Sequence, residues 1–183
     1  MRTLYLYTIL YALGTSFVFA QLKEVSYNED SLANGHYITD TIKESFFHRK
    51  HFVDRIDLSY NYFSNDADFG YATFVSMPYF FNCKFQERAE FYGVTFNEQA
   101  DFDWCFFLSE ARFNGSTFTS GQPVSRADFG NIVFDSLAFF SESVFNGWAD
   151  FNSTQFKGKT SFEEVLFKSR ASFLNSSFSS VRR

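Results

Sequence analysis

The sequence predicts an all-β solenoid, a stack of coils built from very short strands and corners. Three observations carry this prediction. Phe recurs every eleven residues from Phe69 to Phe113, and such strict self-similarity is the signature of a repeat architecture. A second Phe follows each of these five residues later, from Phe74 to Phe118. The residue two before each Phe is small or apolar and the residue between them is usually polar, which is the alternation of a strand with one buried face.

An eleven-residue period is also close to three helical turns, so a right-handed helical supercoil is the first alternative. The inner spacing excludes it, because five residues at about 100° each leave the two Phe of a repeat about 140° apart on a helix. Gly, Asn, Ser and Thr, which are poor helix formers, fill the intervening positions. Turn formers such as Asn114-Gly115 and Asn146-Gly147 follow the Phe, and they indicate corners between strands.

The same grid of positions covers most of the chain. It holds 24 positions, of which 23 are Phe and one is Leu58, so only six of the 29 Phe lie off it. The pairs are Phe47/Phe52, Leu58/Phe63, Phe69/Phe74, Phe80/Phe85, Phe91/Phe96, Phe102/Phe107, Phe113/Phe118, Phe129/Phe134, Phe140/Phe145, Phe151/Phe156, Phe162/Phe167 and Phe173/Phe178.

Units such as Ala67-Asp68-Phe69-Gly70-Tyr71 and Ala100-Asp101-Phe102-Asp103-Trp104 resemble the pentapeptide-repeat family, whose unit is Ala-Asp/Asn-Leu/Phe-x-x. The resemblance implies a right-handed four-sided β-helix with one unit per face. This Phe-rich variant departs from the family by one extra residue after every second unit, which makes eleven-residue double units. We therefore expect about 22 residues per coil, roughly six coils, and bulges at two opposite corners. The extra residues are Met77, Arg88, Gln99, Glu110, Leu137, Trp148, Lys159 and Arg170.

Residues 1–20 have the pattern of a secretory signal peptide. Arg2 is followed by an apolar run that ends in Val18-Phe19-Ala20, which predicts cleavage before Gln21. An uncleaved membrane anchor is the alternative, since the run is only a little shorter than the roughly 20 residues that span a bilayer. We expect cleavage, no membrane span afterwards, and a secreted or periplasmic protein.

The rest of the chain is expected to form one capped solenoid. Residues 21–44 are polar and off the grid, and we interpret them as an N-terminal cap over the open strand edges of a solenoid at 45–183. The grid is interrupted once, at 119–126, where either Val124 anchors an extra face or residues 120–123 form a loop. The last repeat ends uncapped at Arg183. This is explained either by a homodimer through the C-terminal coil, which the resemblance favours, or by truncation of a longer chain.

Composition and motifs argue against several function classes. The formal net charge of −5 disfavours nucleic acid as a direct ligand. The sequence has no Ser/His/Asp constellation, phosphate loop or zinc-ligand spacing, so we expect no catalytic residues, no cofactor and no metal, and not an enzyme. Cys83 and Cys105, separated by the length of one expected coil, should stack on adjacent coils as a disulfide or, preferentially, as two buried thiols.

Acidic residues recur at the outward position before the Phe. Two of them one coil apart, such as Asp128 and Asp150, would lie side by side as in an acid/base dyad. We interpret the whole set instead as the solvent-exposed face of the motif. Its members are Asp57, Asp68, Glu90, Asp101, Asp128 and Asp150.

A set of outward and corner aromatic residues is the candidate binding patch, with Tyr62 close by. Clustered exposed aromatic rings bind sugar rings or protein partners, although such rings also fold back over neighbouring coils. The patch consists of Tyr60, Tyr79, Phe81, Trp104 and Phe106.

We therefore predict an exported, non-catalytic scaffold or binding module whose partner is a protein or a glycan. One alternative is a DNA-mimicking, topoisomerase-interacting protein, as known for some family members, if the chain is not exported. The other is a carbohydrate-active β-helix protein, which would need a cleft lined with charged residues.

Overall fold

The described part of the computed structural model, residues 40–42, 45–119 and 126–179, contains strands and corners and no helix. Its strands pair in parallel in four sheets, and consecutive strands in one sheet belong to consecutive coils. This confirms the predicted β-solenoid of about six coils. The predicted signal peptide and most of the predicted cap, residues 1–39, lie outside the described residues.

We number the four faces in the order in which the chain visits them. Face 1 contains β1 (Asp40–Ile42), β4 (Asn61–Phe63), β7 (Lys84–Phe85), β11 (Phe106–Phe107), β15 (Val133–Phe134), β19 (Gln155–Phe156) and β23 (Ser177–Phe178). Face 2 contains β2 (Ser45–Phe46), β5 (Ala67–Asp68), β8 (Ala89–Glu90), β12 (Ala111–Arg112), β16 (Ala138–Phe139) and β20 (Thr160–Ser161).

Face 3 contains β3 (His51–Phe52), β6 (Thr73–Phe74), β9 (Thr95–Phe96), β13 (Thr117–Phe118), β17 (Val144–Phe145) and β21 (Leu166–Phe167). Face 4 contains β10 (Ala100–Asp101), β14 (Arg126–Asp128), β18 (Trp148–Asp150) and β22 (Ala171–Ser172). Single bridges from Asp57 to Tyr79 and from Tyr79 to Asp101 continue face 4 into the earlier coils.

The register gives the coil its length. Ala67 pairs with Ala89, which confirms the predicted length of a regular coil. Across the interruption, Ala100 pairs with Ala127, a step that is longer by five residues. Strands on the other faces make the same longer step, for example from Ala111 to Ala138. The added residues therefore lie in the chain between β13 on face 3 and β14 on face 4. Val124 and residues 120–123, on which the two alternatives depend, lie outside the described residues.

The core is a set of phenylalanine columns. Phe80 and Phe102 on face 4 stack with their ring centroids 4.8 Å apart and their planes 1° from parallel. Rings of the opposite faces 2 and 4 meet edge to face: Phe91 lies 5.4 Å from Phe80 and 5.1 Å from Phe102. Each such aromatic pair contributes about 0.5–1.5 kcal/mol beyond the burial of its area. Faces 2 and 4 thus interlock along the axis of the solenoid.

Two kinds of corner alternate around the coil. After the Phe of faces 2 and 4 the chain makes a tight turn, as where Cys83 N–H donates to the carbonyl of Phe80 (3.1 Å) and Asn82 has φ 55°. A positive φ at the third residue is what a type II turn requires. After faces 1 and 3 one more residue separates the columns, as between Phe74 and Phe80. The extra residues therefore lie at two opposite corners, as predicted.

Strand β1 lies within the range 21–44 that the sequence analysis assigned to the cap. It pairs with β4, with Ile42 opposite Phe63, so face 1 of the solenoid already includes residues 40–42. Ile42 packs against the same core as the phenylalanine columns. At the other end, Leu174 is 66% exposed and Phe178 is 56% exposed, so the last described coil presents apolar side chains to solvent.

Candidate binding surface

The predicted aromatic patch is brought together at the corner between faces 4 and 1, which we call the aromatic corner. Tyr79 points outward from face 4, whereas Tyr60, Phe81 and Trp104 lie in the tight turns of three consecutive coils. Phe106 points outward from β11 on face 1. The regular length of the coil thus places residues that are far apart in sequence on one edge of the solenoid.

Within the aromatic corner, some rings pack on each other and one projects into solvent. The rings of Tyr60 and Phe81 make an edge-to-face contact with centroids 5.4 Å apart. The guanidinium carbon of Arg55 lies 4.0 Å from the ring centroid of Tyr79, a cation–π contact. Trp104, in contrast, is 49% exposed. Both expected behaviours of corner aromatics, folding back and exposure, therefore occur in the same cluster.

The backbone of the aromatic corner is unusual for aromatic residues. Tyr60 and Trp104 have φ values of 63° and 61°, in the left-handed region where a residue with a Cβ costs roughly 1–2 kcal/mol and where Gly or Asn is preferred. The same position holds Asn82 and Asn131 in neighbouring coils. A half-exposed Trp at this position gains little from core packing, and a contact with a partner would explain its presence.

The outward acidic residues have a structural role that the sequence analysis did not identify. The Asp68 side chain accepts a hydrogen bond from the Gly70 N–H (2.8 Å), and Asp128 accepts one from the Gly130 N–H (3.2 Å). Such a bond from a residue two positions on is the Asx turn, which satisfies a corner N–H that no strand pairs. The same contact is made by Asp57, Asp101 and Asp150.

The interpretation of these acids as a solvent-exposed face is wrong for two of them. The side chains of Asp128 and Asp150 are only 6% and 8% exposed, because Arg126 lies across both carboxylates, at 2.5 Å and 3.4 Å. Asp101 pairs with Asp128 across the interruption and Asp128 pairs with Asp150, so three carboxylates occupy consecutive rungs. The regular spacing predicts Asp128 beside Asp150 but not Asp101 beside Asp128, because the interruption lengthens that step.

Burial raises the pKa of Asp128 to about 6, against the opposing charge of Arg126 and with the help of Asp103 and Asp101. Burial likewise raises the pKa of Asp101 and of Asp103. Nevertheless, the described part of the chain contains no group of three or more His, Cys, Asp or Glu placed to hold a metal ion. The stack is a structural element in which one arginine compensates the charge of the two most buried carboxylates.

Cys83 and Cys105 are both buried and free, which confirms the preferred alternative of two thiols. Cys83 donates its S–H to the carbonyl of Leu58 (2.9 Å) and Cys105 donates to the carbonyl of Phe80 (2.8 Å). Ser116 makes the same contact to the carbonyl of Phe91 in the other column of tight turns. The thiols therefore serve as hydrogen-bond donors between coils, and burial raises the pKa of Cys105 well above its usual value.

Comparison with known proteins identifies the repeat. The family model of pentapeptide repeats (9 copies) matches residues 62–105 and 80–121. No curated protein and no solved structure matches significantly. Over the described residues no helix is long and apolar enough to cross a membrane. The matched region comprises faces 1 to 4 of consecutive coils, and the same columns continue to Phe178. The chain therefore contains repeats of the pentapeptide-repeat family over residues 62–121.

Proposed function

We propose that this protein is an exported, non-catalytic binding module that recognises a protein or glycan partner through the aromatic corner. Pentapeptide-repeat proteins generally act through their surfaces and not through catalysis, and this solenoid provides a rigid edge. The observation that carries the proposal is the half-exposed Trp104 in a left-handed turn. Backbone strain of this kind is concentrated at functional sites, and Trp is among the residues most enriched in binding hot spots.

The surroundings of Trp104 suit recognition. The Tyr60–Phe81 pair forms an apolar base one to two coils away, and Phe106 continues the surface onto face 1. Tyr62 donates its hydroxyl to the Gln86 side chain (3.1 Å) and lies under Lys84, whose ammonium is 5.5 Å from its ring centroid. An apolar centre with polar groups at its rim is the usual composition of a binding surface.

The test compares two variants that remove equally exposed apolar side chains. Trp104→Ala removes the centre of the aromatic corner, whereas Leu166→Ala removes a side chain on face 3 that is also 49% exposed. A glycan array and an affinity capture from the source organism are carried out with wild type and both variants. We expect Trp104→Ala to lose the bound partner and Leu166→Ala to keep it. An unchanged binding profile for Trp104→Ala rejects the aromatic corner as the site.

Export is tested separately, since it rests on residues 1–20. We expect the full-length chain to be recovered outside the cytoplasm with Gln21 at its N-terminus. A cytoplasmic product that retains Met1 contradicts the export part of the proposal and leaves the binding part to its own test.

A further inference from the structure

A second exposed cluster lies at the corner between faces 2 and 3, diagonally opposite the aromatic corner. Four successive residues with basic side chains are exposed where the first turn between faces 2 and 3 leads into β3: His48, Arg49, Lys50 and His51. Tyr71 and Tyr92, 47% and 44% exposed, occupy the turns of the next two coils. We call these six residues the basic corner. It stands out because the chain as a whole carries a net charge of −5.

The side chains of the basic corner are held in place by one another. The ring of His48 meets Tyr71 edge-on at 5.7 Å, and Tyr71 meets Tyr92 edge-on at 5.1 Å. The guanidinium carbon of Arg49 lies 5.7 Å from the Tyr71 ring centroid. A hydrogen bond with Tyr71 raises the pKa of Tyr92. Tyr71 is therefore the centre of the cluster, with a cation on one side and a second ring on the other.

Two glycines make this arrangement sterically feasible. A Cβ on Gly70 would stand 3.0 Å from the His48 ring, and a Cβ on Gly93 would stand 2.8 Å from the Tyr71 ring. The rings therefore lie over positions that lack a side chain. Tyr71 itself has φ 56°, so it is a second exposed aromatic residue held in a left-handed turn. None of this contributes to the phenylalanine columns, and the cluster has no role in the core.

We propose that the basic corner binds an acidic polysaccharide, with Arg49 and Lys50 pairing with its carboxylate or sulfate groups and Tyr71 packing on a sugar ring. Arginine matches the geometry of such oxyanions with a two-pronged hydrogen bond, and lysine adds a mobile point charge. The Asp68 carboxylate borders the basic corner, where it is engaged by the His48 ring (3.1 Å) and by the Gly70 N–H. The charge of Glu142 acts on Tyr92, at the other end of the cluster from Arg49 and Lys50. Arg49 and Lys50 make no ion pair within the described part of the chain.

Two other polyanions are less compatible with this surface. A nucleic acid binds chiefly through many successive phosphates and needs a row of cations along its backbone, whereas Arg49 and Lys50 are two neighbouring cations in one turn. A lipid surface calls for an apolar group that inserts beside the cations, and the tyrosine rings at this corner carry hydroxyl groups at their tips. Stacking of a sugar ring on a tyrosine uses both the apolar ring and the polar tip.

The experiment measures binding of polygalacturonate to the mature protein, with dextran as the uncharged control polymer. We expect saturable binding of polygalacturonate that weakens as salt is raised, and no binding of dextran. Arg49→Glu/Lys50→Glu should weaken the affinity by at least about tenfold, which is the effect of losing one charge-assisted hydrogen bond. Lys159→Glu/Lys168→Glu changes the net charge equally at exposed positions elsewhere and should leave the affinity within about twofold of wild type.

A third variant separates the aromatic contribution from folding. Tyr71→Asn removes the ring but places a residue that tolerates the left-handed turn, so the coil is expected to fold and the affinity to fall severalfold. Trp104→Ala should bind polygalacturonate as wild type does, which keeps this test independent of the aromatic corner. Equal weakening by both charge-reversal pairs, or no binding by wild type, overturns the proposal. So does tighter binding of an oligothymidylate or of phosphatidylglycerol vesicles.

Discussion

Asp128 makes the stability of this solenoid depend on pH in a direction opposite to that of most carboxylates. Burial raises its pKa from 3.8 to about 6, so the folded protein holds a proton that the unfolded chain has already released. The stabilisation from this site is fully present below about pH 4 and is lost as the pH rises through about 6. At about 1.4 kcal/mol for each tenfold change in proton affinity, the total is about 3 kcal/mol.

Asp128→Asn isolates this contribution. The amide resembles the protonated acid, and its oxygen is still able to accept the Gly130 N–H that closes the corner. From pH 4 to pH 7, the free energy of unfolding of the variant should therefore rise by about 2–3 kcal/mol relative to that of wild type. Asp54→Asn removes the same charge from an exposed side chain and controls for net charge.

The assay is urea unfolding, because urea is uncharged and does not screen the charges of the protein. Unfolding is followed by circular dichroism at several pH values between about pH 4 and about pH 7. Wild type should lose stability relative to Asp128→Asn over this range. If the two proteins instead change in parallel, the buried carboxylate is not held in an unfavourable ionised state. The argument from burial would then be wrong.

Four further predictions follow from the same contacts. Arg126→Met should steepen the pH dependence of wild type, since Arg126 is the charge that lowers the pKa of Asp128; an unchanged slope in the same urea assay would contradict this. Phe102→Ala should cost about 3–5 kcal/mol in urea unfolding, whereas Phe178→Ala, at a ring 56% exposed, should cost less than half of that. Gly158→Ala should destabilise severely because its Cβ would collide with the Ser136 carbonyl, while Gly115→Ala, with open space but φ 63°, should cost only about 1–2 kcal/mol in thermal unfolding. Both thiols should react with a thiol reagent only after unfolding; fast reaction of either cysteine in the native protein contradicts their burial.

The fold is largely predictable from the sequence because one side chain repeats with one spacing. The eleven-residue period and the five-residue inner spacing place Phe80 directly below Phe102, and the structure confirms that contact. The positions of the extra residues at two opposite corners also follow from the spacing. The spacing does not predict the backbone conformation of the tight turns. Residues such as Trp104 and Tyr71 adopt a positive φ there, which their own conformational preferences disfavour.

The candidate surfaces are less completely predictable, for two physical reasons. The residues of the aromatic corner can be found because they project from turns that the repeat positions. Of the stack of acids, the spacing places Asp128 beside Asp150 but does not place Asp101 beside Asp128, because the interruption lengthens that step by five residues. Their burial is not predictable either, because it depends on where the long side chain of Arg126 lies. The basic corner is also hidden in the sequence, because residues 48–51 become a cluster only when the coil brings Tyr71 and Tyr92 beside them.

The insertion between Phe118 and Phe129 explains how a strict repeat acquires a distinctive surface without losing its core. Phe102 and Phe129 still stack at 5.1 Å, and Phe118 and Phe145 at 4.5 Å, so the columns pass the insertion unbroken. The rings set the vertical spacing, and any whole number of residues can be accommodated at a corner provided that the next strand returns to its place. Outward residues keep their neighbours as well, as Asp101 meets Asp128, so the chain is lengthened only between faces 3 and 4. Because core and surface are separated in this way, the columns specify the fold and the corner residues are free to specify the partner.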